Sequence, residues 1–384
     1  MYTTPKIDLP ALRQYRMNNV QDLMQERNLD ALVMLGPDNI RYTTDFRAWL
    51  IVEAYDWYGA LVTKGGESYV YVPFVDEDVD DPVPELPWIR QYIATPSWVS
   101  SATQAEVWAR QIKKKLVTHN AKNVGVEGLS PELYILLSQE MPTVKFVPIG
   151  RELAMRRQVK HAEEIKLLEA SAKLASLGSD AVLKTITKGK TDRELLATAT
   201  STMLATGAEF VTHHLCLHRE AKEWFANGFE LREGDTYVFD IGCYGYCGYG
   251  SDMCRTAFAG SPPKAVQDAY RVLMRAHSEG QAAGKAGMKV SELDTIINNA
   301  ITKSGYPGTP YSMGHGVGLR ACELPIIYRP ELMASDERLQ EGMVICLEPE
   351  TKVKSEGNLI VKVEDMFLVT ATGLRRLTET ASVL

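Results

Sequence analysis

The sequence predicts an α+β protein of two domains. Three observations lead there. The chain has 384 residues, more than one small core needs and enough for two domains of roughly 100–200 residues each. The first ~150 residues alternate strand and helix patterns, as a mixed α/β domain does. The remainder runs helix pair, strands, helix pair, strands, which hints at two related halves in element order though not in residues. The expected boundary divides 1–155 from 156–384.

The elements follow from periodicity. Leu12, Tyr15, Met17, Val20 and Leu23 mark an amphipathic helix from Leu9 to Arg27. Ala31 to Leu35 is an apolar strand, followed by a turn at Gly36-Pro37-Asp38-Asn39. Tyr58–Thr63 and Ser68–Pro73 flank Lys64-Gly65-Gly66 and read as a hairpin. The acidic run Asp76 to Asp81 reads as a solvated loop. A helix from Gln104 to Thr118 and a strand from Asn123 to Glu127 complete the first domain. In the second, Ala162, Ile165, Leu168, Ala172 and Ala175 line one face of a long helix starting near Val159. Thr191 caps the next helix, from about Asp192. Pro262 and Pro263 introduce a third helix, Lys264 to about Gly284, and Ser291-Glu292-Leu293-Asp294 opens a fourth as a weak capping box. Strands fill the last part of the chain.

Composition narrows the function classes. An apolar fraction of 45% and a charged fraction of 24% are those of a soluble globular protein. A net charge of −7 gives nucleic acid no global attraction. No run of about 18 apolar residues suggests a membrane span, and Met1-Tyr2-Thr3-Thr4-Pro5-Lys6 opens no signal peptide. Cys216, Cys243, Cys247, Cys254, Cys322 and Cys346 are scattered in apolar contexts and read as reduced thiols. The expectation is a cytoplasmic protein with neither nucleic-acid nor membrane partner.

Chemistry concentrates in five strand-like segments of the second half. They are Val238-Phe239-Asp240-Ile241-Gly242, Ser251-Asp252-Met253-Cys254-Arg255-Thr256, Gly314-His315-Gly316-Val317-Gly318-Leu319, Met343-Val344-Ile345-Cys346-Leu347-Glu348-Pro349 and Val361-Lys362-Val363-Glu364-Asp365. A carboxylate among Val, Ile and Phe is costly to bury unless it is paired or holds a cation. Asp240, Asp252, His315, Glu348 and Glu364 supply enough hard donors for two divalent ions. His213, His214 and His218 cluster just upstream and favour a role in the same site.

Together these strings resemble the superfamily of creatinase, prolidase, aminopeptidase P and methionine aminopeptidase (M24). The resemblance covers most of the chain. It implies a creatinase-like N-terminal α/β domain, carried by Gly36-Pro37-Asp38-Asn39-Ile40-Arg41-Tyr42-Thr43-Thr44, and a C-terminal pita-bread domain. It also implies that Asp240 binds one metal, that Asp252 and Glu364 bridge two, and that His315 and Glu348 complete the second site. Glu348 would take the proton from a metal-bridging water. The metals would be Mn, Fe, Co or Zn. The reaction would be cleavage of a C–N amide bond in an Xaa-Pro dipeptide or another small amide. The resemblance further implies a homodimer in which a first domain closes the partner's active site, so that Trp49 and Trp57, within the aromatic group Trp49, Tyr55, Trp57 and Tyr58, contact substrate.

Three departures from the peptidases bear on the reaction. Asp240 and Asp252 are twelve positions apart, one more than in the peptidases, with Cys243–Gly250 as a tight hairpin between them. The stretch where the peptidases carry a substrate-contacting histidine reads Glu223-Trp224-Phe225, so His218 is expected to stand in and Trp224 to touch substrate. Cys322-Glu323-Leu324-Pro325 replaces a His-Glu-x-Pro string, which makes Cys322 and Glu323 candidate catalytic groups. The longer spacing and Trp224-Phe225 resemble the branch that cleaves dimethylsulfoniopropionate to dimethyl sulfide and acrylate. Gly242 and Cys322 stand where that branch has acids. β-Elimination from a small carboxylate is therefore the alternative reaction, and a non-catalytic binding protein of the same fold is the third.

Overall fold

A computed structural model describes residues 2–47, 56–73, 86–97, 99–329, 331, 336–380 and 383. Trp49, Tyr55 and the acidic run at 76–81 lie outside these residues. The described chain forms two units, one of residues 8–156 and one of 1–7 with 157–384.

The 8–156 unit is a sheet flanked by helices. Its elements are α1 (Leu9–Glu26), β1 (Ala31–Met34), α2 (Pro37–Thr44), β2 (Gly59–Thr63), β3 (Ser68–Val72), β4 (Ile89–Ala94), α3 (Ser101–Thr118), β5 (Asn123–Glu127), α4 (Pro131–Glu140), β6 (Lys145–Pro148) and α5 (Gly150–Arg156). Among the described residues the strand order is β4-β3-β2-β1-β5-β6, with β1 antiparallel to β2 and parallel to β5. The expected turn at Gly36–Asn39 is instead the start of α2. Pro37, whose φ is already helical, sits in its first turn behind Gly36. Trp57 is partly buried against this unit's core, its ring 6.0 Å from that of Trp108.

The unit that holds the five donors contains α6 (Ala162–Thr185), α7 (Asp192–Thr206), β7 (Phe210–His218), β8 (Asp235–Tyr244), β9 (Met253–Ala259), α8 (Lys264–Ala283) and α9 (Val290–Thr302). It continues with β10 (Gly314–Gly316), β11 (Glu323–Ile327), β12 (Val344–Leu347), β13 (Glu350–Val353), β14 (Leu359–Lys362), β15 (Asp365–Val369) and β16 (Leu374–Arg376). Thr191 caps α7 as expected: its Oγ1 accepts from Glu194 N at 3.2 Å while Glu194 Oε2 accepts from Thr191 N at 2.8 Å. The box at α9 falls two residues earlier than Ser291, where Glu292 Oε2 accepts from Lys289 N at 3.1 Å. The helix pair α6–α7 shares a core with β7-β8-β9. The pair α8–α9 shares another with the sheet β11-β10-β12-β15-β16. No helix among the described residues is long and apolar enough to cross a membrane.

Candidate metal centre

A backbone bridge joins the two halves of this unit where the acids gather. Asp240 sits inside β8, opposite Cys254 of β9, and Asp252 directly precedes β9. Glu364, between β14 and β15, is bridged to Cys254, with Glu364 N donating to Cys254 O at 2.9 Å. That bridge delivers an acid of the second half to the acids of the first. His315 comes from β10, and Glu348 from the end of β12. Glycines flank His315 because the neighbouring strands leave no room: a Cβ at Gly314 would meet Cys346 O at 2.0 Å, and one at Gly316 would meet Leu324 O at 2.2 Å. Backbone packing therefore demands these glycines.

All five donors are buried, between 1% and 7% exposed, so their charges must be answered locally. His315 Nε2 faces Asp252 Oδ2 at 3.6 Å, Glu348 Oε1 at 3.7 Å and Glu364 Oε1 at 3.8 Å. Its Nδ1 lies 3.0 Å from Gly316 O, so Nδ1 donates there and Nε2 is free for a cation. Buried Glu364 Oε1 has no hydrogen-bond partner among the described residues. A ring of donors too far apart to bond one another, with an orphaned carboxylate oxygen among them, fits a divalent cation. Cys346 is near the same group. Burial, then Glu364, Asp252 and Glu348, pushes its thiol well up, and Sγ donates to Asp252 O at 3.8 Å. It is a neutral thiol there.

The Asp240 side is arranged differently. Lys362 Nζ lies 2.7 Å from Asp240 Oδ2, 2.9 Å from Glu348 Oε2 and 3.6 Å from Glu364 Oε2. His213 Nε2 lies 2.9 Å from Asp240 Oδ1 and 3.1 Å from Asp252 Oδ1. Burial alone would raise the Asp240 carboxyl, but Lys362 and His213 outweigh it and hold the group well below the usual range. Glu364 goes the other way: burial, then Asp252, raises it well above the ordinary value despite Lys362. Glu348 is raised as well, mainly by burial.

Lys362 was not singled out in the sequence, although the signal was there. Val361 and Val363 are core residues, so strand alternation places Lys362 and Glu364 together on the other face. Of the three upstream histidines, only His213 reaches the cluster. His214 faces Thr200, with Nδ1 3.3 Å from its Oγ1. His218 pairs with Tyr237 in register, three residues along from Asp240's partner Leu215, or about 10 Å. Its ring nitrogens meet Asn227 Oδ1 and Glu220 N, each at 3.2 Å, and its ring stacks on Phe229. His218 therefore lies outside the ring of donors, held by partners on its own side of the strand.

The remaining candidates divide. Glu323 is buried, with Oε1 2.8 Å from Lys160 Nζ and Oε2 3.0 Å from Arg157 Nη2. Both its oxygens are taken by cations, so it offers no free base. Cys322 is exposed and lies beside His315. The Trp224 and Tyr311 rings lie 5.5 Å and 5.8 Å from Lys362 Nζ, at cation–π range, which puts Trp224 beside the cluster.

Comparison with known proteins agrees with this arrangement. The profile of metallopeptidase family M24 matches residues 166–371, and that of the creatinase/prolidase N-terminal domain matches 16–159. The Xaa-Pro dipeptidase of Pyrococcus furiosus is 29% identical over 371 residues, 95% of this chain and 98% of the relative. That of Pyrococcus horikoshii is 28% identical, over 95% of this chain and 97% of the relative. The solved prolidase from Pyrococcus furiosus superposes with a TM-score of 0.76 at 26% identity, covering 94% of this chain and all of that one. The prolidase structure from Pyrococcus horikoshii shares the fold with a TM-score of 0.79, over 96% of this chain and 99% of that one. The chain is a member of metallopeptidase family M24, a metal-dependent hydrolase with a creatinase-like N-terminal domain and a pita-bread domain.

Proposed function

We propose that the protein hydrolyses the C–N amide bond of a small dipeptide-like substrate of the Xaa-Pro type, with two divalent cations held by Asp240, Asp252, His315, Glu348 and Glu364. The observation that carries this reading is the ring of buried donors around His315 Nε2, with the orphaned Glu364 Oε1 among them. When bound, the cations would supply Lewis acidity and a water acidic enough to attack near neutral pH. The chain's own groups do the rest. Glu348 accepts the proton of the attacking water and returns it to the departing amine. Lys362, 2.9 Å from Glu348 Oε2, fixes that carboxylate's orientation. Asp252 and Glu364 each reach the cluster with both oxygens and would be shared by the two cations. Trp224 and Tyr311 give the substrate an aromatic wall next to the charged centre.

The test is turnover by protein loaded with Mn, Co, Fe or Zn and offered Xaa-Pro dipeptides in parallel with dimethylsulfoniopropionate. Release of free proline, lost on chelation, is the expected result. Acrylate formed from dimethylsulfoniopropionate without dipeptide cleavage would replace hydrolysis by elimination.

A further inference from the structure

We propose that His213 is a metal ligand: its Nε2, together with Asp240 Oδ1 and Asp252 Oδ1, forms a nitrogen-containing cation site beside the one served by His315. The inference rests on the reading of the cluster as a two-metal centre and adds a donor to it. His213 Nε2 stands 2.9 Å from Asp240 Oδ1 and 3.1 Å from Asp252 Oδ1. An octahedral cation with bonds of about 2.1 Å holds adjacent ligands ~3.0 Å apart, so His213 Nε2 has the spacing of a neighbouring ligand to each of these carboxylate oxygens.

The surroundings prepare the ring for that task. Its Nδ1 lies 2.9 Å from Thr212 Oγ1. With the proton on Nδ1 and Thr212 accepting it, the Nε2 lone pair points at the two carboxylates. Thr212 is the extra residue where the β7–β8 register shifts between Val211 and His213, and such bulges re-aim side chains. Opposite His213 in that register is Gly242. A Cβ there would meet Ser251 O at 2.2 Å, Thr212 Oγ1 at 2.4 Å and His213 Cε1 at 2.7 Å, so the absence of a side chain at 242 leaves the imidazole its place. Lys362 already occupies Asp240 Oδ2 at 2.7 Å and directs Oδ1 to this cation. Each cation then has one imidazole, and a nitrogen donor moves the Asp240 site toward Fe, Co and Zn and away from Mg and Ca.

The competing arrangement keeps His213 as an imidazolium paired to both acids with no metal bond. Proton NMR of the cobalt(II)-loaded protein separates the two, because each metal-bound imidazole contributes a strongly shifted N–H signal that disappears in heavy water. Two cobalt ions per chain and two such signals, from His213 and His315, are expected. His213→Gln should lose one signal and bind the second cobalt at least tenfold more weakly, read by metal titration. His214→Gln, altered on the opposite face of β7, should retain both signals. Two bound ions with a single signal in the unaltered protein overturn the proposal, and so does unchanged binding of the second ion in folded His213→Gln. Either result leaves the two-metal reading standing. A protein that takes up no cobalt overturns both. The signal count in the unaltered protein decides the matter even if the variant fails to fold.

Discussion

Asp252 and Glu364 differ from the other donors in what they hold together. Glu364 has one oxygen orphaned and the other 3.6 Å from Lys362, and its backbone ties the two halves of the domain through Cys254. Asp252 places one oxygen toward His213 and the other toward His315. Asp252→Ala or Glu364→Ala should therefore remove a shared ligand, lower bound metal below two per chain and reduce turnover at least a hundredfold. Elemental analysis of the purified variants alongside the dipeptide assay checks this, and retained turnover in either would dismiss the bridging role. Lys362 allows a test without metal. Four carboxylates converge here, and its ammonium contacts three of them. Lys362→Met removes their ammonium partner. Breaking a buried pair by removing one partner costs about 3–5 kcal/mol, a loss that urea unfolding in chelator should show. Unaltered stability would mean that water, not Lys362, satisfies Asp240.

The elements show which parts of the site could be read in advance. His315, Glu348 and Glu364 were legible because each sits in an apolar or Gly-rich strand string where a polar donor stands out. His213 and Lys362 were harder, since their roles depend on register and on alternation across two sheets. The upstream histidines share one strand, and its register on β8 decides which of them faces Asp240: His213 falls on that face, and His214 and His218 on the other. Helix α8 carries a different buried imidazole. His277 is fully buried, 3.7 Å from Asp365 and 5.4 Å from the Phe367 ring. Burial lowers it from the ordinary 6.5 to about 4, with Arg376 and Arg255 acting in the same sense against Asp365. A folded value below the unfolded one means that the unfolded chain binds the extra proton first. The contribution is complete above pH ~6.5 and disappears as the pH falls toward 4, amounting to about 3 kcal/mol. His277→Leu should flatten the stability profile over that window relative to the unaltered protein. Parallel profiles would show that His277 titrates normally.

At the scale of the whole molecule, the two units have separate cores, and the five buried donors all belong to one of them. The sequence revealed this division through alternation and motif order. It could not reveal the minor strands β4 and β6, whose short polar-interrupted runs carry little signal. A ligand that binds only the folded state stabilises it by about 2.7 kcal/mol at a hundred times its dissociation constant. That stabilisation acts on the unit that binds. Five of the six tryptophans, Trp49, Trp57, Trp88, Trp98 and Trp108, belong to the 8–156 unit, leaving Trp224 as the sole one in the other. Tryptophan fluorescence thus reports chiefly on the unit without ligands, whereas far-UV circular dichroism reports on both. Chains of several domains commonly unfold in more than one step. Denaturant titrations with manganese and with chelator should therefore diverge: metal moves the later part of the dichroism curve to higher denaturant, while the fluorescence midpoint stays within error. If both probes shift together, the units unfold as one body, and the stabilisation by metal is transmitted to a core that contributes none of its ligands.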